Sequence, residues 1–352
     1  MQIDSNSFKP LSHAITAVRF PLVVAIILLH AYTATGPVNN HVVLFQSLYP
    51  FALWFGESGV PTYFFISGLL FFYSTKTYAE KIKIRVKTLL VPYVLWNGLY
   101  LLAYVGLFLC GHEQPIFGRS LASYDLIDYL RLFWDRGYWD GGNGTPLLCP
   151  FWYIRDLMMV SLLSPVIYYI IRTTGLLLPL LACALWFATP NVAFSMQCLS
   201  MFSLGAYFSI KEINLFDLLA RHKASFITCF AAFALADWFT HLVWPVSFSL
   251  LIHRLSLILN VAFILWLGQW LYNSFPLFKQ LSHAAFFVFC IHYPLNAVIR
   301  RAACLHPEWP DIIHIALYWF SVVLVVAISL TLYQIAKSTI PKWFKTITGN
   351  RS

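Results

Sequence analysis

Ten stretches of this chain are apolar for close to the length that a helix needs to cross the hydrocarbon core of a bilayer, about 20 residues. They run over Ala14–Thr33, Glu57–Ser74, Leu89–Cys110, Phe151–Ile171, Leu176–Thr189, Ala193–Ile210, Ala224–Thr240, Val246–Tyr272, His283–Arg300 and Ile312–Ala336. Continuous runs of this kind predict helices rather than the alternating short strands of an outer-membrane barrel. The rest of the composition agrees. Sixty per cent of the 352 residues are apolar and 11% are charged, against about 25% charged in an average soluble domain. A soluble fold of this size cannot bury that much apolar surface. A water-soluble enzyme, a disordered chain and a nucleic-acid reader are excluded. The expected fold is all-α: one polytopic membrane domain over residues 1–352, with about ten spans.

The net charge of +9 is distributed as membrane topology requires, in short connectors between the apolar runs. With the N-terminus placed in the cytoplasm, fifteen of the 23 basic residues fall in cytoplasmic segments and five outside. Arg19, Arg155 and Arg254 lie within spans. This threefold bias predicts cytoplasmic termini, residues 1–13 and 337–352, and a large external loop over 111–150. That loop holds Glu113, Asp125, Asp128, Asp135 and Asp140, several aromatics and an Asp140–Gly144 turn signal. It suits either a lid or a sugar contact. The first run is expected to be a span and not a cleaved leader, because it is long and contains Arg19. The seven cysteines show no C-x-x-C spacing, so neither a metal site nor a disulfide framework is expected.

An ionisable side chain inside a bilayer costs about 3 kcal/mol on insertion scales, so its position carries information. The first run holds Arg19 and His30. Eleven residues at about 100° each return within about 20° of the starting direction, so both share one stripe, about 16 Å apart along the axis. Glu57, Trp152, Arg155, Asp156, Arg254 and His292 fall in other runs at the depth of His30, and His253 precedes Arg254. A purely structural ion-pair network is the competing reading for Arg155 with Asp156 or Glu57. Lys81, Lys83, Arg85 and Lys87 form a basic approach to the third run, suited to anionic lipid and equally to a phosphate-rich ligand. Ser67-Gly68 in the second run reads first as a close-packing site.

These residues resemble the acyltransferase 3 family of integral-membrane acyltransferases, which modify bacterial surface glycans. The resemblance rests on Arg19, ten residues and His30; on Gly59-Val60 followed by Phe64-Phe65-Ile66-Ser67-Gly68; and on the basic run leading to Pro92-Tyr93. Phe151-Trp152-Tyr153 and the Ser282-to-His292 segment extend it over nearly the whole chain. Pro61 departs from the pattern, standing where many members carry a polar residue.

The resemblance implies transfer of an acyl group, usually acetyl, from cytoplasmic acetyl-CoA to a hydroxyl of an envelope or exported glycan, at the bacterial cytoplasmic membrane. It implies no metal, no nucleic acid and no particular oligomeric state. In that setting Arg19, Lys83, Arg85 and Lys87 are expected to hold the donor. His30 is expected to act as general base, with Glu57 or Asp156 orienting its ring and His292 in the same catalytic group. Arg155, Arg254 or Ser67 would stabilise the oxyanion, and Trp152 would contact substrate. Buried Arg, His and Glu would also suit a proton-coupled transporter or flippase of a glycan or small anion.

Overall fold

The computed structural model describes residues 5–34, 48–116, 118–135, 144–188, 195–243, 246–303 and 309–350. Arg136, Asp140 and the Gly-Gly-Asn of the expected loop turn lie outside them, as do Cys304 and Arg351; side chains are not described for Arg300 and Arg301. Among the described residues the secondary structure is helical, with no strand beyond one isolated bridge between Ile116 and Arg119.

Over its described residues, each of the ten apolar runs is mainly helical. We number the helices α1 Ser5–Ala34, α2 Gly59–Tyr73, α3 Tyr78–Leu109, α4 Leu126–Arg131, α5 Trp152–Leu162, α6 Ser164–Thr174, α7 Leu177–Ala188 and α8 Met196–Ile210. Then come α9 Leu215–Arg221, α10 Lys223–Val243, α11 Val246–Ser274, α12 Pro276–Leu281, α13 Ala285–Ala303, α14 Asp311–Thr339 and α15 Pro341–Ile347. Among the described residues four helices are long and apolar enough to cross a membrane by length and composition, those containing Lys9–Tyr32, Tyr78–Leu109, Phe248–Ser274 and Asp311–Thr339. Two bent pairs raise that number to six.

The expected single span over Phe151–Ile171 is two helices, α5 and α6, meeting at 64°. Pro165, at the start of α6, supplies no N–H for the preceding turn and crowds its carbonyl, which is why the rod breaks there. The third run begins earlier than its apolar stretch. Thr77 accepts from the Glu80 amide while the Glu80 carboxylate accepts from the Thr77 amide, and this capping box starts α3 at Tyr78. The basic approach to the third span is therefore part of the helix.

Helix α1 is the axis of the fold, packed against α2, α11, α13 and α14. Glycines set its spacings. A Cβ on Gly268 of α11 would lie 2.8 Å from the Ala14 carbonyl oxygen. Gly56 and Gly59 bring the approach to α2 against Leu22, Ala25 and Leu29. The tightest contact joins α2 to α8. A Cβ on Gly68 would sit 2.0 Å from the Phe202 oxygen, and one on Gly205 would sit 2.1 Å from the Phe65 oxygen. The two glycines face each other's backbones in the way small residues allow helices to close up in lipid.

Candidate active site

The Arg19 stripe of α1 faces a cavity of about 250 Å³. Its polar lining comes from five regions: Arg19 of α1, Tyr63 and Ser67 of α2, Arg85 of α3, Tyr153 of α5, and Ser282 and His283 just before α13. Its apolar walls include Ile15, Val23, Ile66, Leu70, Leu157, Phe286 and Phe289. The Gly68–Gly205 closure fixes the part of α2 that carries Ser67. Arg85 reaches it from α3, its Nη2 donating to the Ser67 hydroxyl at 2.9 Å and to the Ser67 carbonyl at 3.4 Å. The Phe71 ring lies 5.6 Å below the Arg85 guanidinium and 5.2 Å from the Lys81 ammonium. Tyr63 donates to the Arg19 carbonyl at 2.6 Å. Arg19, Arg85 and Ser67, expected in the site on separate grounds, thus line one cavity. Lys83 and Lys87 are exposed on α3 and are not part of its lining.

His30 lies further along the same stripe. It is not among the cavity's lining residues: Val23 and Phe289 line the cavity, and seven residues of helix, about 10 Å, separate Val23 from His30. The Phe289 ring is 5.6 Å from the ring of His292, and that ring is 5.4 Å from His30. Tyr293 meets His30 edge-on at 5.3 Å. A single line of rings, Phe289–His292–His30, therefore leads from the cavity to the imidazole pair. His292 is fully buried, and its Nδ1 is 2.6 Å from the Phe289 carbonyl oxygen. A carbonyl only accepts, so Nδ1 carries the hydrogen and Nε2 presents its lone pair.

Arg155 and Asp156 form a buried ion pair at 2.9 Å. The arginine also donates to the carbonyls of Trp134 and Gly144, each at 2.6 Å, and Asp156 accepts the Ser195 amide at 2.9 Å. The pair joins α5 to two strands of connecting chain, the one after α4 and the one before α8. Trp152 packs on Phe64 at 6.0 Å, while its neighbour Tyr153 is the side chain that reaches the cavity. Arg254 lies over the Trp186 ring and donates to the Trp186 carbonyl.

Glu57 belongs to a different cluster. Its Oε2 is 3.0 Å from His253 Nε2, and His253 Nδ1 is 2.9 Å from Asp237 Oδ2. Tyr49 donates to Asp237 Oδ1 at 2.9 Å. With a carboxylate oxygen on each ring nitrogen, each contact needs a proton between its atoms, which makes the group an imidazolium between two carboxylates or a neutral ring beside one protonated acid. Around it Trp54 donates to Ser256 at 2.8 Å and Asn260 donates to the Ser58 hydroxyl at 2.8 Å.

Tyr153 and Ser282 lie in segments that carry the family resemblance but have no role of their own in it, and Tyr63, Tyr49 and Asp237 do not stand out when the sequence is read residue by residue. For Asp237 a signal exists: it is the one acid in the run Ala224–Thr240. Among the described residues no group of three or more His, Cys, Asp or Glu is placed to hold a metal ion.

Comparison with known proteins adds the family. The chain is 24% identical over 380 residues to the succinoglycan biosynthesis protein ExoH of Rhizobium meliloti (strain 1021), an alignment covering 99% of this chain and 94% of that protein. No solved structure matches the chain. The family model for an acyltransferase domain matches residues 12–334, from within α1 to the last turns of α14. The protein belongs to the acyltransferase 3 family.

Proposed function

We propose that this protein is a multi-pass enzyme of the bacterial cytoplasmic membrane that moves an acyl group, acetyl foremost, from acyl-CoA to a hydroxyl of a cell-envelope or extracellular polysaccharide. The observation that carries the reading is the convergence of Arg19, Arg85 and Ser67 on one cavity, on the stripe that continues to His30. Two guanidiniums suit a ligand with phosphates at one end. The apolar walls, Val23 and Phe289 among them, suit its thin arm. The relative's part in succinoglycan biosynthesis supports a polysaccharide acceptor.

In this reading Arg19 and Arg85 hold the donor at the cytoplasmic side, with Lys83 and Lys87 drawing it in. The acyl group passes Phe289 to reach the histidines. His30 takes the proton of the attacking hydroxyl as the thioester carbonyl is attacked, and returns it to the departing sulfur. His292 stands beside it with a fixed tautomer. Arg155 and Asp156 hold the connectors around α5, and through α5 the cavity-lining Tyr153.

The test is a strain lacking this protein, complemented with wild-type chain or with His30→Ala, its surface polysaccharide weighed by mass spectrometry. Loss of one acyl mass per modified residue, restored by wild type and not by the membrane-inserted variant, is the expected result. Unchanged glycan mass in the deletion strain overturns the reading, and restoration by His30→Ala overturns the role of the base.

A further inference from the structure

One turn beyond His292 on α13 stands Asn296. Four residues of helix place it about 6 Å along the axis and about 40° around it, on the same face. It is 3% exposed, and among the described residues neither its Nδ2 nor its Oδ1 has a hydrogen-bond partner; the Nε2 of His292 is likewise buried and without one. Three polar atoms on adjacent turns of one helix thus lack what buried polar groups in folded proteins nearly always have. The cost is not a consequence of crowding by other polar groups, since the neighbouring Nδ1 of His292 is satisfied by the Phe289 carbonyl. Nor does the apolar length of the helix call for an asparagine there. A leucine, which has the same branched skeleton, would avoid the cost.

The unmet atoms have a definite chemistry. With Nδ1 protonated, His292 Nε2 accepts; Asn296 Nδ2 donates and Oδ1 accepts. None is charged in the way that would hold a phosphate or carboxylate. A pair of neighbouring sugar hydroxyls matches the set: one donates to His292 Nε2 while accepting from Asn296 Nδ2, and the next donates to Asn296 Oδ1. The His30 ring, 5.4 Å from that of His292, is then within reach of a third hydroxyl on the same sugar ring. We propose that His292 and Asn296 form the seat of the acceptor, a subsite that recognises a polyol by its hydroxyls and presents a neighbouring one to His30. This deepens the acyltransferase reading and rests on it. The donor cavity and the seat are then separate sites on one helix stripe, joined past Phe289.

The decisive variant is Asn296→Leu, with two readouts on the full chain. The first is the acyl content of surface polysaccharide in the complemented deletion strain. The second is the apparent Tm of the detergent-purified protein, with and without acetyl-CoA as probe. A seat predicts that acylation falls at least tenfold while the Tm rises by about 2 °C or more, because an unmet amide has been replaced by a packed side chain. The upward shift given by acetyl-CoA stays as in wild type. Asn296→Ser, smaller and with a hydroxyl that donates and accepts, is expected to recover part of the acylation. An asparagine that serves the fold loses stability together with activity, and that result overturns the proposal. Full acylation by Asn296→Leu overturns it as well. Failure of the wild-type chain itself to restore acyl groups removes the acyltransferase reading, and the seat with it, and is seen in the control before any variant is compared.

Discussion

The two groups of polar side chains around α1 are built on opposite plans. Near Arg19 they converge on open volume: Arg19, Arg85, Ser67, Tyr63 and Tyr153 come from four helices to the wall of one cavity. Around His253 they converge on one another. Tyr49, Asp237, His253 and Glu57 form a closed chain in which each group meets the next at 2.9–3.0 Å. Both plans put charge where hydrocarbon is expected, and both are costly. They differ in what repays the cost. The closed chain satisfies its members within the fold, whereas Arg85 on Ser67 and Tyr63 on the Arg19 carbonyl are paired and still border open volume. Counting buried ionisable residues does not separate the two plans; asking which of them border open volume does.

The comparison breaks first, and most visibly, at Asp237. It is fully buried, and its loss leaves His253 Nδ1 and the Tyr49 hydroxyl facing an empty space. Removing one partner of a buried pair costs about 3–5 kcal/mol. Asp237→Ala is expected to accumulate poorly and melt far below wild type in detergent, while any protein that survives binds acetyl-CoA with unchanged affinity. A melting curve like wild type's would show that the chain does not hold α10 to α11.

Arg85→Ala and Arg19→Ala are expected to behave in the reverse sense. Each removes a cation from the cavity wall, and a lost charge-assisted contact to a phosphate lowers affinity about tenfold or more. The check is the acetyl-CoA concentration needed to raise the apparent Tm by half its maximum. Stability without ligand is expected to change little for Arg19, which is exposed. Arg85 gives up its contact to Ser67, so its variant should melt slightly lower. Unchanged half-maximal concentrations for both variants would place the donor elsewhere.

This division was only partly legible in the sequence. The helices were, because apolar length is read along one dimension; the exception, α5 and α6, turns on Pro165, whose effect depends on whether a helix tolerates a kink or breaks. The stripe of Arg19 and His30 was legible because eleven residues nearly complete three turns. The approach of Arg85 to Ser67 was not. It follows from how α3 docks on α2, and α2 is held by the reciprocal contact of Gly68 with Gly205, a pairing of positions far apart in the chain. Arg155 and Asp156 were legible as a pair, but their further partners are main-chain groups of Trp134, Gly144 and Ser195, and a backbone carbonyl has no letter in the sequence. Asp237 did not stand out although it is the lone acid in an apolar run, and its relation to His253 became readable only once α10 and α11 lay side by side.

Glu57 is where the two plans meet, and the smallest expected effect is the most informative. It ends the closed chain, yet its side chain is 40% exposed while those of its partners are nearly buried. Glu57→Gln keeps the shape and replaces a carboxylate by an amide. The amide oxygen still accepts from His253 Nε2, and the exposed end still meets solvent, so the expected loss of stability is about 1 kcal/mol or less. If the chain serves only the fold, polysaccharide acylation by this variant stays within about twofold of wild type, the factor that such a loss leaves in a steady-state population. A fall of a hundredfold at unchanged Tm and unchanged acetyl-CoA binding would mean that the closed chain has an open end after all. Glu57 would then act on the acceptor or on His30 with His253 and Asp237 positioning it, and the division between binding cavity and structural network would have to be redrawn through this one carboxylate.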